Sequence, residues 1–412
     1  MTEIALMEIL AGSLIMALLV VVLATGLLAA RRRLIPQGRI DVTVNDTLHI
    51  EAARGAKLLS ALHDADIRIP AACGGSGTCG LCRVTVTGDG AGQPQATERG
   101  VLSPKERRDH MRLACQTTLR GPCAVRVPDD IMTAGGAVSC PVVSSRMLAP
   151  LIREIIVTLP TDHPTAFKAG DFMQVTAPPF RLDLATLPVD PAYREDWEIN
   201  RWHRLIAASD TDVTRAYSLA SRPQDHGRAV FNIRLAVPPA GREADIPPGI
   251  VSSFLFSLKP GDSVDLSGPF GDFHIQPTTR DMVFIGGGVG MAPLRAMIHQ
   301  ELGQNTPRHI RYFYGARTAA DLFYSDEFET LAAAHDNFSW TPALSDPAPG
   351  DRWTGATGFI HERVRAEMSN HPSPEDCEYY LCGPPVMIAA VLGTLERLGV
   401  EPRSIFYDDF GG

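Results

Sequence analysis

The stretch MVFIGGGVGMAP, residues 282–293, decides the fold of the C-terminal part of the chain. Its apolar start predicts a buried strand, its glycines predict a tight turn, and Leu294–Glu301 predicts a helix. A strand, a glycine turn and a helix start form a cradle for a pyrophosphate, because the unpaired N–H groups of a helix N-terminus favour anions. The nucleotide contacts that we predict here are Gly286, Gly287, Gly288 and Gly290.

The same pattern of strand and turn returns twice further along the chain. Ile310–Gly315 precedes Arg317, and Tyr379–Leu381 precedes a Cys-Gly-Pro-Pro turn. Strands that alternate with helices indicate a doubly wound α/β domain, which binds ligands at the carboxyl ends of its parallel strands. We therefore assign residues 276–412 to a dinucleotide-binding domain. Its further predicted contacts are Gly315, Arg317, Cys382, Gly383 and Pro384.

The choice between NADH and NADPH depends on the residues after the second strand of this domain. A 2′-phosphate normally calls for basic residues there. Arg317 is nearly alone, and Asp321 is close by in the sequence, so the pattern favours NADH.

Residues 131–275 show short strands separated by Gly and Pro, which predicts a small antiparallel barrel. Residues 178–213, with Trp197 and Trp202, interrupt this pattern. Two interpretations of this insertion stay open: a solvated loop, or a docking surface, because tryptophan is enriched in interfaces. The candidate strands are Leu151–Leu159, Asp171–Ala177, Arg215–Leu219, Ala229–Ala236 and Ser263–Ser267.

Four cysteines follow the spacing C-x5-C-x2-C-x32-C: Cys73, Cys79 and Cys82 in one glycine-rich loop, and Cys115 further on. Thiolates are the ligands of a [2Fe–2S] cluster, and glycines allow the positive φ angles that a loop around a cluster needs. Structural zinc is the alternative, although zinc ribbons usually show two closely spaced pairs. The spacing resembles that of adrenodoxin-type ferredoxins, and Arg39–Ile50 alternates like a strand. We therefore expect a β-grasp ferredoxin domain over residues 35–130.

Residues 1–34 contain an uncharged apolar run, Ile9–Ala30, which is followed by Arg31–Arg33. At about 1.5 Å per residue this run is long enough to cross a bilayer of about 30 Å. A cleaved signal peptide would need a basic start and a shorter apolar core. We predict an uncleaved transmembrane anchor, with the remaining chain on the cytoplasmic side because basic residues stay there. The net charge of −9 argues against a nucleic-acid partner.

The segment RAYS at residues 215–218, the later Gly249 turn and the nucleotide loop follow one another in an order that resembles the ferredoxin–NADP⁺ reductase superfamily. This resemblance implies an FAD cofactor. It implies that Arg215 pairs with the flavin pyrophosphate, as a guanidinium does well. It also implies that Tyr217 packs on the isoalloxazine and that the Ser218 hydroxyl approaches its N5 edge.

The superfamily resemblance implies further roles at the same flavin. Cys382 would orient the nicotinamide, and Phe410 would cover the flavin where the nicotinamide must stack. Ser218, Cys382 and Phe410 are therefore the predicted catalytic residues. The residues expected to meet the pyrophosphate at a helix start are Gly249, Ser252 and Ser253.

Motifs along essentially the whole chain resemble the F subunits of the sodium-translocating NADH:quinone reductases. The resemblance implies that NADH gives a hydride to FAD and that single electrons pass to the [2Fe–2S] cluster and on to partner membrane subunits. Reduction of ubiquinone and export of Na⁺ would occur in the complex, in a bacterial inner membrane. The motifs are CGGSGTCG at 73–80, GPFGDF at 268–273, GMAPLR at 290–295, ALSDP at 343–347, WTGATGFIH at 353–361, LCGPP at 381–385 and the ending DDFGG at 408–412.

Two alternatives carry the same modules. The reductase component of a multicomponent oxygenase has ferredoxin, flavin and NAD modules in this order, but such chains usually lack an anchor. A tethered electron carrier with a degenerate flavin site is opposed by the intact Arg215 and Gly286–Gly290. Cys123, Cys140 and Cys377 lie outside every motif and are interpreted as thiols without a role.

Overall fold

The computed structural model describes residues 3–34, 38–71, 73–133, 136–161, 167–348 and 352–409. The chain divides into two compact units. The first consists of Met1–Ala65 and Arg83–Val127, and the second of Asp66–Cys82 and Pro128–Gly412. The loop with Cys73, Cys79 and Cys82 therefore belongs to the second unit, whereas Cys115 belongs to the first.

The first unit begins with the helix α1, Glu3–Leu34. Its described side chains, residues 11–26, are all exposed, and they include Leu14 and Leu23. Over the residues that the structure describes, no helix combines the length with the apolar character that crossing a membrane requires. The single-pass anchor predicted for residues 1–34 is therefore not confirmed as a spanning segment.

Five strands form one mixed sheet in the first unit. The strands are β1 Arg39–Val44, β2 Leu48–Ala53, β3 Arg83–Thr87, β4 Met111–Leu113 and β5 Cys123–Arg126, and the further helices are α2 Leu58–Asp64, α3 Ala96–Val101 and α4 Pro104–Arg108. The order is β2-β1-β5-β3-β4, with β1 and β5 parallel. The alternating stretch 39–50 is two strands rather than the predicted one. Asn45 and Asp46 have φ angles of 47° and 62°, and two successive positive φ angles reverse the chain in a tight hairpin.

Six strands of the second unit pair antiparallel in a single sheet. The strands of this region are β6 Val138–Ala149, β7 Ile152–Thr158, β8 Phe172–Ala177, β9 Phe180–Asp183, β10 Ile206–Ser209, β11 Val213–Ser218, β12 Arg228–Arg234 and β13 Ser263–Phe270, and the helices are α5 Asp129–Thr133, α6 Arg194–Ile199 and α7 Ile250–Ser257. The sheet order is β11-β8-β13-β6-β7-β12. Its end strands are linked by a single bridge, Leu219 to Phe231. Because this isolated bridge replaces a continuous strand pairing between β11 and β12, the predicted antiparallel barrel is not closed over the described residues.

The insertion 178–213 is folded rather than a solvated loop. It contains the antiparallel pair β9 and β10 and the helix α6. Trp197 is only 3% exposed, and its Nε1 donates to the carbonyl of Pro150 at 2.7 Å. Trp202 packs edge-on against it, with ring centroids 6.0 Å apart. Both tryptophans therefore serve the internal packing of the insertion, which removes the basis for a docking surface built on them.

The C-terminal part of the second unit is a doubly wound parallel sheet, as the sequence predicts. Its strands are β14 Met282–Gly287, β15 Ile310–Ala316, β16 Phe338–Leu344, β17 Ala356–Thr357, β18 Glu378–Gly383 and β19 Ile405–Asp409, and its helices are α8 Met291–Gly303, α9 Ser325–Ala334, α10 Ile360–Met368 and α11 Pro385–Arg397. All neighbours in the order β17-β16-β15-β14-β18-β19 are parallel. Helices α8 and α9 cover one face, and α10 and α11 cover the other. Strands β14 and β18 are buried along their whole length, which is typical of a sheet covered on both faces.

Candidate nucleotide and flavin site

The parallel sheet reverses its strand order between β14 and β18. From β14 the chain proceeds through β15 and β16 to one edge, and it returns through β18 and β19 to the other. The turn Gly288–Gly290 follows β14 at this point, and α8 begins directly after it. Open α/β sheets bind ligands outside the carboxyl ends of their strands at such a reversal. The predicted contacts Gly286, Gly287, Gly288 and Gly290 therefore lie at the position where this fold binds nucleotides.

Close packing restricts these glycines to different extents. A Cβ on Gly290 would overlap the carbonyl group of Cys382, and a Cβ on Gly287 would lie 2.8 Å from the sulfur of Met387. Gly288 differs, because it has a φ of +56° and a Cβ there would meet no described atom within 4 Å. The turn is thus pressed against the end of β18, which gives the close backbone approach that a pyrophosphate cradle needs.

The ends of the neighbouring strands carry the other predicted nucleotide contacts. Gly315 pairs with Gly287 across β14 and β15. Arg317 follows β15, and its Nη2 lies 3.3 Å from the carboxylate of Asp346, which follows β16. This carboxylate would repel a 2′-phosphate at Arg317, so the geometry favours NADH as the sequence did. Gly383 is the last residue of β18, and Pro384 lies between it and the start of α11.

Cys382, Ser218 and Asp408 converge at the same edge of the sheet. Cys382 is fully buried in β18 and lies in register with Gly286 on β14 and with Asp408 on β19. Ser218, the buried last residue of β11, donates a hydrogen bond from its Oγ to Asp408 Oδ2 at 3.2 Å. Ser218 therefore contacts the residue of β19 that pairs with Cys382 on the neighbouring strand. Phe410, the third predicted catalytic residue, lies outside the described residues.

Asp408 is not among the site residues that the sequence predicts. It lies in the ending DDFGG, which is a family motif whose carboxylates have no predicted role. The signal was present, because a carboxylate at the end of a parallel strand lies where such sheets bind ligands. Its partner Ser218 is 190 residues away in the sequence, so no local pattern connects the two.

The strand β11 presents Arg215 and Tyr217 as predicted. The Arg215 guanidinium is exposed, and its Nη1 donates to the carbonyl of Thr214 at 2.8 Å. It also lies against the backbone of the cysteine loop, where a Cβ on Gly74 would overlap it. Tyr217 is half-buried and packs against the core of the antiparallel sheet. An exposed guanidinium beside a half-buried ring fits a cofactor that has both a diphosphate and an aromatic ring.

The predicted pyrophosphate turn at Gly249 shows two different serines. The Ser252 hydroxyl accepts from the N–H of Ala236 at 3.2 Å and donates to the carbonyl of Gly249 at 3.1 Å. Ser253 is fully buried, and its hydroxyl has no hydrogen-bond partner within the described residues. An unpaired buried hydroxyl is costly, so Ser253 fits a residue that binds a ligand. Ser252 instead stabilises the turn that precedes α7.

The cysteine loop has the conformation that a cluster loop needs. Gly74, Gly75, Gly77 and Gly80 all have φ angles between 62° and 94°. The sulfurs of Cys73 and Cys79 are 3.3 Å apart. The pKa of the Cys73 thiol is lowered, chiefly because the Cys79 thiol donates to it, with further help from the Ser76 hydroxyl and from backbone N–H groups of the loop. A loop that stabilises thiolate sulfur with N–H groups fits iron–sulfur ligation.

The fourth predicted ligand, Cys115, follows β4 in the first unit. Its strand is fixed by Arg112, which forms a buried ion pair with Glu98 at 2.9 Å. Cys82 and Cys115 are both buried. In the described ranges no group of three or more His, Cys, Asp or Glu side chains is arranged to hold a metal ion, so the four-cysteine set stays a prediction. Burial raises the pKa of Cys140 and Cys377 to about 11 and also raises that of Cys123, as in unreactive thiols.

These features define a class of protein: an NADH-dependent flavin reductase with its own [2Fe–2S] domain. Family models agree with each part. A 2Fe-2S iron-sulfur cluster binding domain matches residues 42–120, an oxidoreductase FAD-binding domain matches 203–275, and an oxidoreductase NAD-binding domain matches 284–392. The chain thus binds a [2Fe–2S] cluster, FAD and NADH.

Relatives along the whole chain identify the family. The F subunit of the Na(+)-translocating NADH-quinone reductase of Methylococcus capsulatus is 40% identical over 99% of this chain and all of its own length. The corresponding F subunit of Neisseria meningitidis is 42% identical, over 98% of this chain and all of its own. A cytochrome P450 reductase from Amycolatopsis has the same fold, with a TM-score of 0.60 and 27% identity over 90% of this chain and 98% of its own. The chain belongs to the family of F subunits of the Na(+)-translocating NADH-quinone reductases and is an oxidoreductase.

Proposed function

We propose that this chain is the NADH-oxidising, electron-entry subunit of a membrane complex that reduces ubiquinone and exports Na⁺. The observation that carries the proposal is the convergence of Ser218, Asp408 and Cys382 beside the nucleotide turn, in a chain with the three cofactor domains of its family. When bound, FAD would supply the change from two-electron chemistry with NADH to one-electron chemistry with the [2Fe–2S] cluster.

The residues of the site have positioning roles in this proposal. Asp408 accepts from the Ser218 hydroxyl and so fixes its rotamer at the flavin edge. Cys382 is buried beside the nucleotide turn and orients the nicotinamide. Hydride transfer needs no acid or base, so these groups act by orienting the reactants and excluding water. Phe410 would cover the flavin until the nicotinamide stacks there.

Several residues bind the cofactors in the same proposal. Arg215 and Ser253 hold the FAD pyrophosphate, together with Gly249 and with Ser252 as the support of that turn. Tyr217 packs on the isoalloxazine. The NADH contacts are Gly286, Gly287, Gly288, Gly290, Gly315, Arg317, Cys382, Gly383 and Pro384. The cluster ligands are Cys73, Cys79, Cys82 and Cys115.

The membrane association belongs to the proposal as well. Exposed apolar side chains of α1, such as Leu14 and Leu23, and the three arginines after Ala30 support insertion into a bacterial inner membrane. Residues 35–130, 131–275 and 276–412 would then be the ferredoxin, FAD and NADH domains on the cytoplasmic side. Partner membrane subunits of the complex would accept the electrons.

The test is an assay of the purified membrane complex that contains this chain. We expect NADH to reduce the bound flavin and the complex to reduce ubiquinone faster with Na⁺ than without it. Quinone reduction that does not respond to Na⁺ would contradict the coupling. Flavin that NADH fails to reduce would contradict the electron-entry role itself.

A further inference from the structure

Arg295 is a buried arginine of α8 that connects three parts of the second unit. Its side chain is 5% exposed, and its Nη1 donates to the carbonyl of Ala220 at 2.7 Å. Its Nε and Nη2 donate to the two oxygens of Glu327 on α9, at 2.6 and 2.8 Å. The guanidinium also lies over the ring of Tyr324, 4.4 Å from the centroid. Arg295 ends the motif GMAPLR at 290–295, and none of the proposed roles uses it.

One end of this connection is the nucleotide turn. Helix α8 begins at Met291, directly after Gly290, and Arg295 lies about one helical turn further along. Ala292, in the first turn of α8, packs with Ala220 in a small apolar cluster. The helix whose start would receive the NADH pyrophosphate is therefore joined to Ala220 both by packing and by the Arg295 hydrogen bond.

The other end of the connection is the flavin strand. Ala220 follows Ser218 by two residues, and its N–H donates to the carbonyl of Val230 at 2.8 Å. The N–H of Leu219 donates to the carbonyl of Asp171 at 2.9 Å. The segment after β11 is thus held between two neighbouring chain segments, so a shift of Ala220 would also move Ser218.

The carboxylate that holds Arg295 is itself fixed. Glu327 also accepts from His299 Nε2 at 2.6 Å. Burial raises the pKa of Glu327, but the hydrogen bonds from His299 and Arg295 outweigh it and lower the pKa to about 2, so the carboxylate is ionised at neutral pH. Tyr324, below the guanidinium, is held by Glu154 and by Asn232, whose Nδ2 donates to the phenol at 2.9 Å. The partners of Arg295 therefore also reach strands β7 and β12.

We propose that Arg295 is a positioning residue that fixes the NADH-binding helix α8 relative to the strand that carries Ser218. The inference rests on the proposed hydride transfer from NADH to FAD. Reacting atoms must approach to about 3–3.5 Å, and a displacement of about 1 Å can cost about 100-fold in rate. A lysine at this position keeps the positive charge, but its compact ammonium group replaces the planar guanidinium. It therefore cannot donate hydrogen bonds to both oxygens of Glu327 and to the carbonyl of Ala220 in the same geometry.

The test uses the full-length chain loaded with FAD and cluster, comparing Arg295→Lys with the wild type. We expect unchanged flavin content and an NAD⁺ dissociation constant, from equilibrium titration, within about threefold of the wild-type value. The rate constant of flavin reduction at saturating NADH should fall about 10- to 100-fold in rapid mixing. Hydrogen–deuterium exchange should rise in the peptides that cover residues 216–222 and 291–299, which is a readout independent of turnover.

Arg308→Lys is the matched control. Arg308 is as buried as Arg295 and pairs with Glu378 at 2.6 Å. It lies at the amino ends of strands β15 and β18, whereas the nucleotide turn lies at the carboxyl ends of the parallel strands. We expect Arg308→Lys to keep the wild-type rate. If Arg295→Lys fails to fold, Glu327→Gln replaces it, and its expected rate loss is about 3- to 10-fold because the fork keeps its bond to Ala220.

Three results decide the inference. A wild-type rate in Arg295→Lys at saturating NADH would overturn it, and so would a loss that appears only in NAD⁺ affinity. An equal loss in Arg308→Lys would show general destabilisation instead of positioning. If NADH fails to reduce the flavin of the wild-type chain, the proposed function itself is wrong. That outcome is seen in the wild type and is therefore distinguishable from the three results on the variants.

Discussion

The two glycine-rich loops of the second unit look alike in sequence but use glycine for different physical reasons. In the cysteine loop, the glycines at 74, 75, 77 and 80 all have positive φ angles. In the nucleotide turn only Gly288 does, with a φ of +56°. Gly290 is required there because a Cβ would overlap the backbone carbonyl of Cys382, whereas a Cβ on Gly287 would first meet the flexible end of the Met387 side chain. The cysteine loop needs conformational freedom at all four glycines, and at Gly74 also room for the Arg215 guanidinium, whereas the nucleotide turn chiefly needs the absence of a side chain.

This difference gives different rules of substitution for the two loops. A glycine with a positive φ angle can be replaced by Asn at modest cost, because Asn adopts the left-handed region of φ and ψ more readily than most other L residues do. A glycine in close contact with backbone cannot be replaced by Asn or by Ala, since both carry the Cβ that overlaps. Substitution of such glycines by Ala and by Asn therefore distinguishes a need for a positive φ angle from a lack of space for a side chain.

The largest expected effect tests whether the cysteine loop holds a cluster at all. In Cys79→Ser the reduced [2Fe–2S] EPR signal should be lost completely, because a serine hydroxyl is a poor substitute for thiolate. FAD should stay bound and reducible by NADH. Cys123→Ser is the control, since Cys123 is a buried thiol outside the motif, and it should keep the full signal. A normal signal in Cys79→Ser would remove Cys79 from the ligand set.

The second effect tests the close approach in the nucleotide turn. Gly290→Ala places a Cβ on the carbonyl of Cys382, so α8 must move away from β18. We expect about a 100-fold weaker NAD⁺ affinity, by equilibrium titration, with FAD and cluster retained. Gly288→Ala meets no described atom within 4 Å, so only its positive φ is penalised, by about 1 kcal/mol or roughly fivefold. Similar losses in both variants would contradict the distinction between space and conformation.

Local patterns were sufficient for most of the architecture. The doubly wound sheet follows from apolar strands that each end in a glycine turn, as in 282–290, and its reversal point fixes where the nucleotide contacts lie. The strand that carries Arg215 and Ser218 also agrees with the sequence prediction, because the residues around it in the chain define it. Such features depend on residues that are adjacent in sequence.

The features that were missed depend on residues distant in sequence or on a single turn. The alternation over residues 39–50 spans Asn45 and Asp46, which are turn-forming residue types and here reverse the chain with positive φ angles. The antiparallel sheet is not closed because its end strands β11 and β12 do not pair continuously. The hydrophobic periodicity of the sequence does not show whether two end strands will pair. The contact of Ser218 with Asp408 spans 190 residues, and that of Arg295 with Ala220 spans 75. Side chains that meet across such separations are set by tertiary packing alone.

The smallest expected effect concerns Gly77 in the cysteine loop and tests whether this glycine is needed for its positive φ angle. Gly77 has a φ of +85°, so Gly77→Ala should cost about 1–2 kcal/mol of loop stability, and Gly77→Asn should cost less. The measurements are iron content per chain and the thermal midpoint of the cluster absorbance, both lower in the Ala variant than in the Asn variant. Gly100→Ala is the control, because Gly100 lies in α3 with no described atom within 4 Å of a Cβ, and alanine stabilises a helix there by up to about 1 kcal/mol. If the Asn variant of Gly77 loses as much iron as the Ala variant, the glycine is needed for space around the cluster. Glycine would then be needed in both loops for the same reason, which is that a side chain does not fit there.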